Sequence, residues 1–121
     1  MTVYANKTAA DADGPIIHAA DAATVAVWLN DSDAVLVDVR ETEEYAGEHI
    51  AGAILSPLSM FEPDRFPAFA GKRVVLLCAV GKRSLAAAKQ LGQVGYTGQI
   101  VNLTGGLAAW KEAGFATVTG S

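Results

Sequence analysis

The sequence predicts an α/β domain in which a mainly parallel β-sheet is covered by helices on both faces. Apolar segments of strand length alternate along the chain with segments of helical periodicity, which is the pattern of parallel α/β folds. The strand segments are apolar at consecutive positions, as expected of parallel strands buried on both faces. The chain has 121 residues, enough for one domain. We expect residues 15–121 to form this domain, after a flexible tail at 1–14.

The first elements are two strands separated by one helix. Segment 16–18 is a candidate edge strand. Asp21 can cap the helix that follows, because its carboxylate can accept hydrogen bonds from backbone N–H groups of the first turn. The helix ends in the polar turn 30–33, and the β-branched segment 34–39 predicts a buried strand. The apolar face of the helix is formed by Val25, Trp28 and Leu29.

Shorter elements are predicted in the middle of the chain. Residues 42–45 have the pattern of a short helix, and residues 53–55 that of a short strand. Segment 59–70 combines three phenylalanines with two prolines, which predicts one or two helical turns rather than a long helix. Segment 74–77 is the next clear strand and ends at Cys78.

The last elements are two helices around one strand. Segment 84–94 has helical periodicity, and Gly95 is placed to end that helix in the left-handed conformation. Segment 100–103 predicts a strand, and a short helix follows from Gly105-Gly106 to Lys111. The apolar side of the 84–94 helix is expected to be formed by Leu85, Ala88 and Leu91.

The composition excludes several classes of protein. Cys78 is the only cysteine, so the chain has no internal disulfide, and with only two histidines we expect neither a metal site nor a cofactor. No apolar segment approaches the ~20 residues that span a bilayer, and no apolar signal region follows Lys7. We therefore expect a cytoplasmic protein with no membrane partner. Its basic residues are few and lack interleaved aromatic side chains, so nucleic acid is not an expected partner.

Charge is distributed unevenly along the chain. Residues 1–64 hold 12 acidic and 2 basic side chains, a net charge of −10, whereas residues 65–121 hold 7 basic and 1 acidic, a net charge of +6. No carboxylate side chain occurs between Arg65 and Lys111. A pocket formed by this second half should favour anions, unless folding brings the acidic half beside it.

The segment from Cys78 to Ser84 has the features of a reactive thiol site. An apolar strand delivers Cys78 to the carboxyl edge of the sheet, where open α/β sheets bind ligands. Gly81 permits a loop whose N–H groups converge, and the helix that follows adds partial positive charge at its N-terminus. Such surroundings lower the pKa of a thiol and also bind an anionic substrate. A lone cysteine is more often a small core residue, but this combination favours a nucleophile.

This loop, Cys78-x-x-Gly81-x-Arg83-Ser84, resembles the active-site loop of the rhodanese-like sulfurtransferases. Two further groups of segments resemble the family's signatures. The amino-terminal one is similar to 36–40 followed by 43–45, 49–53 and Pro57, and the carboxy-terminal one to 101–106 followed by Trp110. The resemblance runs from about residue 16 to 114. It implies a three-layer fold with a five-stranded parallel sheet and helices on both faces.

The resemblance implies transfer of a sulfane sulfur through a persulfide on Cys78. The donor is expected to be a small anion of the thiosulfate type, and the acceptor cyanide or a thiol, either small or on a protein. No cofactor is implied, and a single domain can act as a monomer. Lys82 and Arg83 are expected to attract the donor. Backbone N–H groups that cradle the persulfide are expected from Ala79, Val80, Gly81, Lys82, Arg83 and Ser84.

Three other functions remain open from the sequence. A dedicated sulfur carrier would use the same residues. A non-catalytic binding or regulatory module is disfavoured by Cys78, which inactive rhodanese-like domains usually lack. Phosphatases of this architecture have one more residue between cysteine and arginine than the four found here, which disfavours phosphate esters.

Other conspicuous residues are assigned structural roles. Asp38 and Arg40 are expected to pair at the end of their strand, and His49 to be a buried, hydrogen-bonded histidine. Trp28 and Trp110 are expected to lie in the core or half in it. The glutamates Glu41, Glu43, Glu44 and Glu48 are expected to form a solvated face. The phenylalanines Phe61, Phe66 and Phe69 are expected to pack under their loop, with an apolar docking rim as the alternative.

Overall fold

A parallel sheet of five strands forms the centre of the protein, which a computed structural model describes over residues 16–120. The strands are β1 (His18–Ala20), β2 (Ala34–Asp38), β3 (Ile54–Leu55), β4 (Arg73–Leu77) and β5 (Ile100–Leu103). The order across the sheet is β1-β5-β4-β2-β3, and every neighbouring pair is parallel. This confirms the predicted α/β fold class and places β4 in the middle of the sheet. The predicted tail at residues 1–14 lies outside the described residues.

Four helices flank the sheet in the described residues, three of them between strands and the last after β5. They are α1 (Ala22–Asn30), α2 (Thr42–Gly47), α3 (Lys82–Gln93) and α4 (Gly106–Glu112). Asp21 caps α1 as predicted, because its side chain accepts the Thr24 N–H at 2.9 Å. The predicted turns between β3 and β4 are two short 3-10 helices, Leu58–Met60 and Pro63–Arg65.

Several predicted boundaries differ from the structure by one or two residues, and one predicted buried face was wrong. The first strand is His18–Ala20 rather than 16–18, because its pairing with β5 begins at His18. Helix α3 begins at Lys82 rather than Ser84, directly after the left-handed Gly81. Leu85 is 37% exposed, because α3 turns its smaller residues toward the sheet. The buried residues of α3 are Ser84, Ala87, Ala88 and Leu91.

The two faces of the sheet carry separate apolar cores. Alternation along β4 directs Val75 and Leu77 to one face and Val74 and Leu76 to the other, with Cys78 on the same side as Leu76. Helices α1 and α4 cover the first face with residues that include Val25, Leu107 and Trp110. Helix α3 covers the second face with Ala87, Ala88 and Leu91. The side chain of Cys78 therefore lies on the face covered by α3.

The three phenylalanines pack together beside the second core, as the first interpretation of them predicted. The rings of Phe61 and Phe66 are 5.8 Å apart, and the ring of Phe66 also contacts Phe69 and Tyr96 at 6.1 and 5.6 Å. All four residues are partly buried against the α3 side of the sheet. The loop between β3 and β4 is thus anchored by aromatic packing.

Asp38 and Arg40 form a buried ion pair at the carboxyl end of β2, as predicted. Asp38 is fully buried and Arg40 is 4% exposed. The guanidinium donates to both carboxylate oxygens, with Nη2 to Oδ2 at 2.7 Å and Nε to Oδ1 at 3.0 Å. It also donates to the backbone carbonyls of Glu44 at 3.4 Å and Glu48 at 2.7 Å. Arg40 therefore fixes helix α2 against the end of the sheet.

Removing either member of this pair should destabilise the fold strongly. We expect Arg40→Ala to reduce the free energy of unfolding by about 3–5 kcal/mol, because Asp38 keeps a buried charge without a partner. Asp38→Ala should cost a similar amount, and the double variant less than the sum of the two. Urea denaturation of the four proteins measures these differences.

An exposed ion pair provides the control. Arg65 and Glu62 are 3.6 Å apart, with side chains 83% and 66% exposed. Arg65→Ala should therefore change the free energy of unfolding by no more than about 1 kcal/mol. A loss that small for Arg40→Ala would contradict the role assigned to the buried pair.

Candidate active site

Cys78 lies at the carboxyl end of the central strand β4, beneath a short surface loop. The residue is 1% exposed, whereas Val80 in the loop above it is 58% exposed. Gly81 adopts φ +98°, a left-handed conformation that favours glycine, and α3 begins at the next residue. The thiol is therefore buried directly beside the N-terminus of a helix of 12 residues.

The sulfur of Cys78 accepts hydrogen bonds from the loop and from the first turn of α3. The Gly81 N–H donates to Sγ at 3.1 Å, and the Ser84 hydroxyl lies 3.4 Å from it. Burial raises the pKa of Cys78. Hydrogen bonds from the Ser84 side chain and from the backbone N–H groups of Ser84, Val80 and Gly81 lower it and outweigh burial. The net result is a pKa below the ordinary thiol value.

The start of α4 holds the outer side of this loop. The Leu107 N–H donates to the Cys78 carbonyl at 2.8 Å, and the Ala108 N–H donates to the Ala79 carbonyl at 3.0 Å. In a trans peptide the N–H points opposite to the carbonyl. The N–H groups of Ala79 and Val80 therefore point away from α4. The carbonyls of Cys78 and Ala79, which would repel an anion, therefore point toward α4.

Gly106 makes this close contact possible. Its backbone has φ +61°, and a Cβ there would lie 2.8 Å from the carbonyl carbon and oxygen of Ala79 and closer still to the Cys78 oxygen. Any side chain at this position would push α4 away from the loop. Glycine at position 106 therefore allows α4 to begin in a left-handed conformation and also to contact the Cys78 loop.

Arg83 is directed to a carboxylate rather than to the sulfur. Its two terminal nitrogens donate to the carboxylate oxygens of Glu44 at 2.8 and 2.9 Å. The hydrogen bonds from Arg83 are the main cause that lowers the pKa of Glu44 to about 2. Arg83, which was expected to attract the donor, is thus paired with Glu44, because folding brings α2 from the acidic half of the chain beside the loop.

Three of the four glutamates predicted to form a solvated face are partly exposed and also have specific partners. Besides Glu44, the carboxylate of Glu41 accepts a hydrogen bond from the Ser59 hydroxyl at 2.6 Å. Glu48 pairs with the Lys111 ammonium at 2.8 Å. These partners lie far away along the chain, so a count of neighbouring charges could not reveal them.

The remaining predicted residues take the positions expected of them or lie apart from Cys78. His49 is buried, its Nδ1 lies 2.8 Å from the Tyr45 carbonyl, and its ring stacks on Tyr45 at 3.8 Å. Lys82 is exposed at the first position of α3. Within residues 16–120, no group of three potential ligands among His, Cys, Asp and Glu could hold a metal ion.

Asn102 is a residue near the loop that the sequence analysis overlooked. It lies in β5, where its Oδ1 accepts a hydrogen bond from the Ser84 hydroxyl at 2.6 Å and its Nδ2 donates to the Gly81 carbonyl at 3.1 Å. The available signal was a single polar residue within the apolar strand 100–103.

Two surface cavities lie at the opposite edge of the sheet. Their volumes are about 480 and 430 Å³, and both include the loop 96–99. The first is bordered by Arg73, where β4 begins, whereas Cys78 follows the end of the same strand. Neither cavity contributes to the thiol site.

In the described part of the chain, no helix is long and apolar enough to cross a membrane.

Comparison with known proteins identifies the family. The profile of the rhodanese-like domain matches residues 21–113. The chain belongs to the rhodanese-like domain family. The match covers the sheet from β2 to β5, the Cys78 loop and helix α4, which are the parts that form the site.

Individual rhodanese-like relatives agree with this assignment. A sulfurtransferase of Allochromatium vinosum is 34% identical over 105 residues, covering 85% of this chain and 96% of that protein. An uncharacterized protein of Synechocystis is 50% identical over 91 residues, covering 74% of this chain but only 50% of that protein, so this chain spans about half its length. The crystal structure of a rhodanese-like domain protein from Staphylococcus aureus has a TM-score of 0.71 at 29% identity, covering 86% of this chain and 99% of that one.

The thiol of this rhodanese-like loop should ionise at lower pH in the folded chain than in the unfolded one. The rate of alkylation by iodoacetamide measures the thiolate, and Cys78 is the only site at which it can form. We expect the midpoint of the native chain below that of the same chain in urea. Ser84→Ala should raise the native midpoint, because it removes the largest stabilising hydrogen bond.

The same shift has a consequence for stability. Because the folded pKa is the lower one, the unfolded state binds more protons at pH values between the two midpoints. The contribution of Cys78 to stability is therefore complete above the unfolded pKa and is lost as the pH falls through the folded one. A native midpoint equal to or above that in urea would contradict this account of the loop.

A side chain at Gly106 should damage the loop beyond its cost to the backbone. Gly106→Ala and Gly114→Ala both force alanine into a left-handed conformation, at φ +61° and +90°, which costs about 1–2 kcal/mol. Only the Gly106 variant also displaces α4 from the Cys78 and Ala79 carbonyls, since a Cβ at Gly114 meets no atom within 4 Å. We expect a raised alkylation midpoint for Gly106→Ala alone. Equal midpoints in the two variants would show that the contact with α4 does not affect the thiol.

Proposed function

We propose that this rhodanese-like chain is a sulfurtransferase that carries a sulfane sulfur on Cys78 from an anionic donor of the thiosulfate type to cyanide or a thiol. The observation that carries the proposal is the sulfur of Cys78 itself. It is buried at a strand end and yet hydrogen-bonded by N–H and O–H donors that favour its thiolate. A structural cysteine in an apolar core would have no such donors.

The first step transfers sulfur to the protein. The Cys78 thiolate attacks the outer sulfur of thiosulfate, a new S–S bond forms, and the original S–S bond of the donor breaks. Sulfite leaves with the electron pair of that bond, and Cys78 becomes a persulfide anion. No general base is invoked, because the hydrogen bonds to the sulfur favour its thiolate.

The second step regenerates the thiolate. A nucleophile, either cyanide or a thiolate, attacks the outer sulfur of the persulfide. The bond between the two sulfurs breaks, its electron pair returns to Cys78, and thiocyanate or a new persulfide leaves. The donors at Val80, Gly81 and Ser84 suit both steps, because they lower the free energy of negative charge near the sulfur without any rearrangement.

Attraction of the donor falls to groups other than the Arg83 side chain. Arg83 is paired with Glu44, so we assign it the role of fixing the first turn of α3. Lys82 is exposed next to Gly81, and among the described residues it has no carboxylate within 4 Å. We therefore assign long-range attraction of the anion to Lys82 and to the N–H groups at the start of α3.

Mass spectrometry of the intact chain tests the covalent step. After treatment with thiosulfate under non-reducing conditions, we expect a mass increase of one sulfur atom, which cyanide removes. Cys78→Ser should show no increase and no thiosulfate:cyanide turnover. Steady-state kinetics of the native chain should be ping-pong, with parallel lines when one substrate is varied at several concentrations of the other.

The matched variant is Ser84→Ala, which keeps the nucleophile but removes one donor to it. It should acquire the sulfur at least several-fold more slowly at neutral pH and recover at higher pH. Turnover retained in Cys78→Ser, or no sulfur gained by the native chain from any donor, would refute the proposal.

A dedicated sulfur carrier is the second candidate. A relative in Bacillus subtilis, 30% identical over 81 residues, is named a putative sulfur carrier protein, whereas one in Coxiella burnetii, 32% identical over 79 residues, is named a thiosulfate sulfurtransferase. The single cysteine suits a carrier as well, because sulfur must pass to an external acceptor. A carrier should gain sulfur slowly from thiosulfate but quickly from a persulfide on a cysteine desulfurase. Loading rates with the two donors distinguish the functions.

A further inference from the structure

Asn102 lies on the same side of the sheet as Cys78 and one strand away. Strand β5 pairs with β4 so that Asn102 is opposite Leu76, two residues before Cys78. Residues paired in this way project to the same face. The half-buried Asn102 interrupts a strand whose other residues are buried and apolar, and an amide in such a position needs hydrogen-bond partners.

The two partners of Asn102 determine how its amide is oriented. The Gly81 carbonyl, 3.1 Å away, can only accept, so the NH2 group must face it. The amide oxygen then faces the Ser84 hydroxyl at 2.6 Å and competes for its single proton with the sulfur, which lies 3.4 Å from the same hydroxyl. Both partners belong to the Cys78 loop or to the turn that follows it. Asn102 therefore links these two parts of the site to β5.

Gly81 is held at both of its polar groups. Its N–H donates to the sulfur at 3.1 Å, and its carbonyl accepts from Asn102. With both groups occupied, the left-handed conformation of Gly81 at φ +98° is fixed. Since the carbonyl points to β5, the Lys82 N–H in the same peptide points away from it.

Three carbonyls of the loop thus point away from its inner side, those of Cys78 and Ala79 toward α4 and that of Gly81 toward β5. The first two are held by backbone N–H groups of α4, whereas the third is held by a side chain. We propose that Asn102 is a positioning residue of the sulfur-transfer loop, whose amide holds the Gly81 carbonyl outward and the Ser84 hydroxyl beside the sulfur. The inference rests on the proposed function for its purpose, but its geometry and its test do not require sulfur transfer.

The role predicts a change in the thiol itself. In Asn102→Asp the donor to Gly81 is replaced by a second oxygen, and a negative charge is added near the sulfur. We expect the alkylation midpoint of Cys78 to rise by about one pKa unit, so that the thiolate fraction at pH values well below the native midpoint falls by about tenfold. The iodoacetamide rate as a function of pH is the measurement.

The effect of Asn102 through Gly81 alone is measured in a Ser84→Ala chain, because the one proton of the Ser84 hydroxyl is shared between the Asn102 oxygen and the sulfur. In a Ser84→Ala chain this competition is absent, and Asn102 can act only through Gly81. Asn102→Leu added to Ser84→Ala should therefore raise the midpoint further, by about half a pKa unit or more. An unchanged midpoint in this double variant would overturn the proposed hold on Gly81.

A neighbouring variant separates positioning from a loss of stability. Val101→Ala removes a fully buried side chain from the same strand, but on the opposite face of the sheet. It should lower the melting temperature and leave the alkylation midpoint unchanged. If it raises the midpoint as much as the Asn102 variants do at an equal loss of stability, Asn102 has only a structural role.

Failure of the proposed function gives a different result. If the native chain gains no sulfur from thiosulfate or a protein persulfide but the Asn102 variants shift the midpoint, the function is wrong and the positioning role stands. If sulfur is gained normally and the midpoint does not move in Asn102→Asp, the positioning role is wrong and the function stands.

Discussion

The site depends on where the carbonyl groups of one loop point. A tight loop after a central parallel strand contains as many acceptors as donors, so it favours an anion only if its carbonyls are held elsewhere. Helix α4 and Asn102 hold these carbonyls in place, because they donate hydrogen bonds to the carbonyls of Cys78, Ala79 and Gly81. The donors that remain on the inner side lower the pKa of the thiol although burial raises it. Reactivity is therefore a property of three segments and not of the Cys78 loop alone.

The buried ion pair on β2 is connected to the same loop through helix α2. Arg40 pairs with Asp38 and also binds the Glu44 and Glu48 carbonyls, which fixes α2 at the carboxyl edge of the sheet. The Glu44 side chain then holds Arg83 in the first turn of α3. Because the pKa of Glu44 is about 2, this ion pair contributes to stability above the ordinary carboxyl pKa and is lost as the pH falls toward 2. At neutral pH the Glu44 carboxylate therefore holds the first turn of α3 through Arg83, while the Ser84 N–H in that turn donates to the sulfur.

Features encoded locally were predictable from the sequence. Strand β5 was predicted with its observed bounds, Asp21 was predicted as the cap of α1, and Cys78 was predicted at a strand end before a helix. Each depends on neighbouring residues, where periodicity and turn chemistry are informative. The pairing of Arg83 with Glu44 was not predictable, because 39 residues separate them and only the crossing of the chain at the sheet edge brings them together. The role of Asn102 was hidden for the same reason.

Under the proposed sulfur transfer, the single cysteine limits how the sulfur can leave. The chain has no second thiol that could attack the persulfide, so release requires an acceptor that reaches the loop from outside. Cys78 is 1% exposed, and the surface above it is formed by residues such as Val80, which is 58% exposed, and the cationic Lys82. Under the proposed function, we assign selection of donor and acceptor to the shape and charge of the loop's outer surface, and stabilisation of the thiolate to the hydrogen-bond donors beneath it.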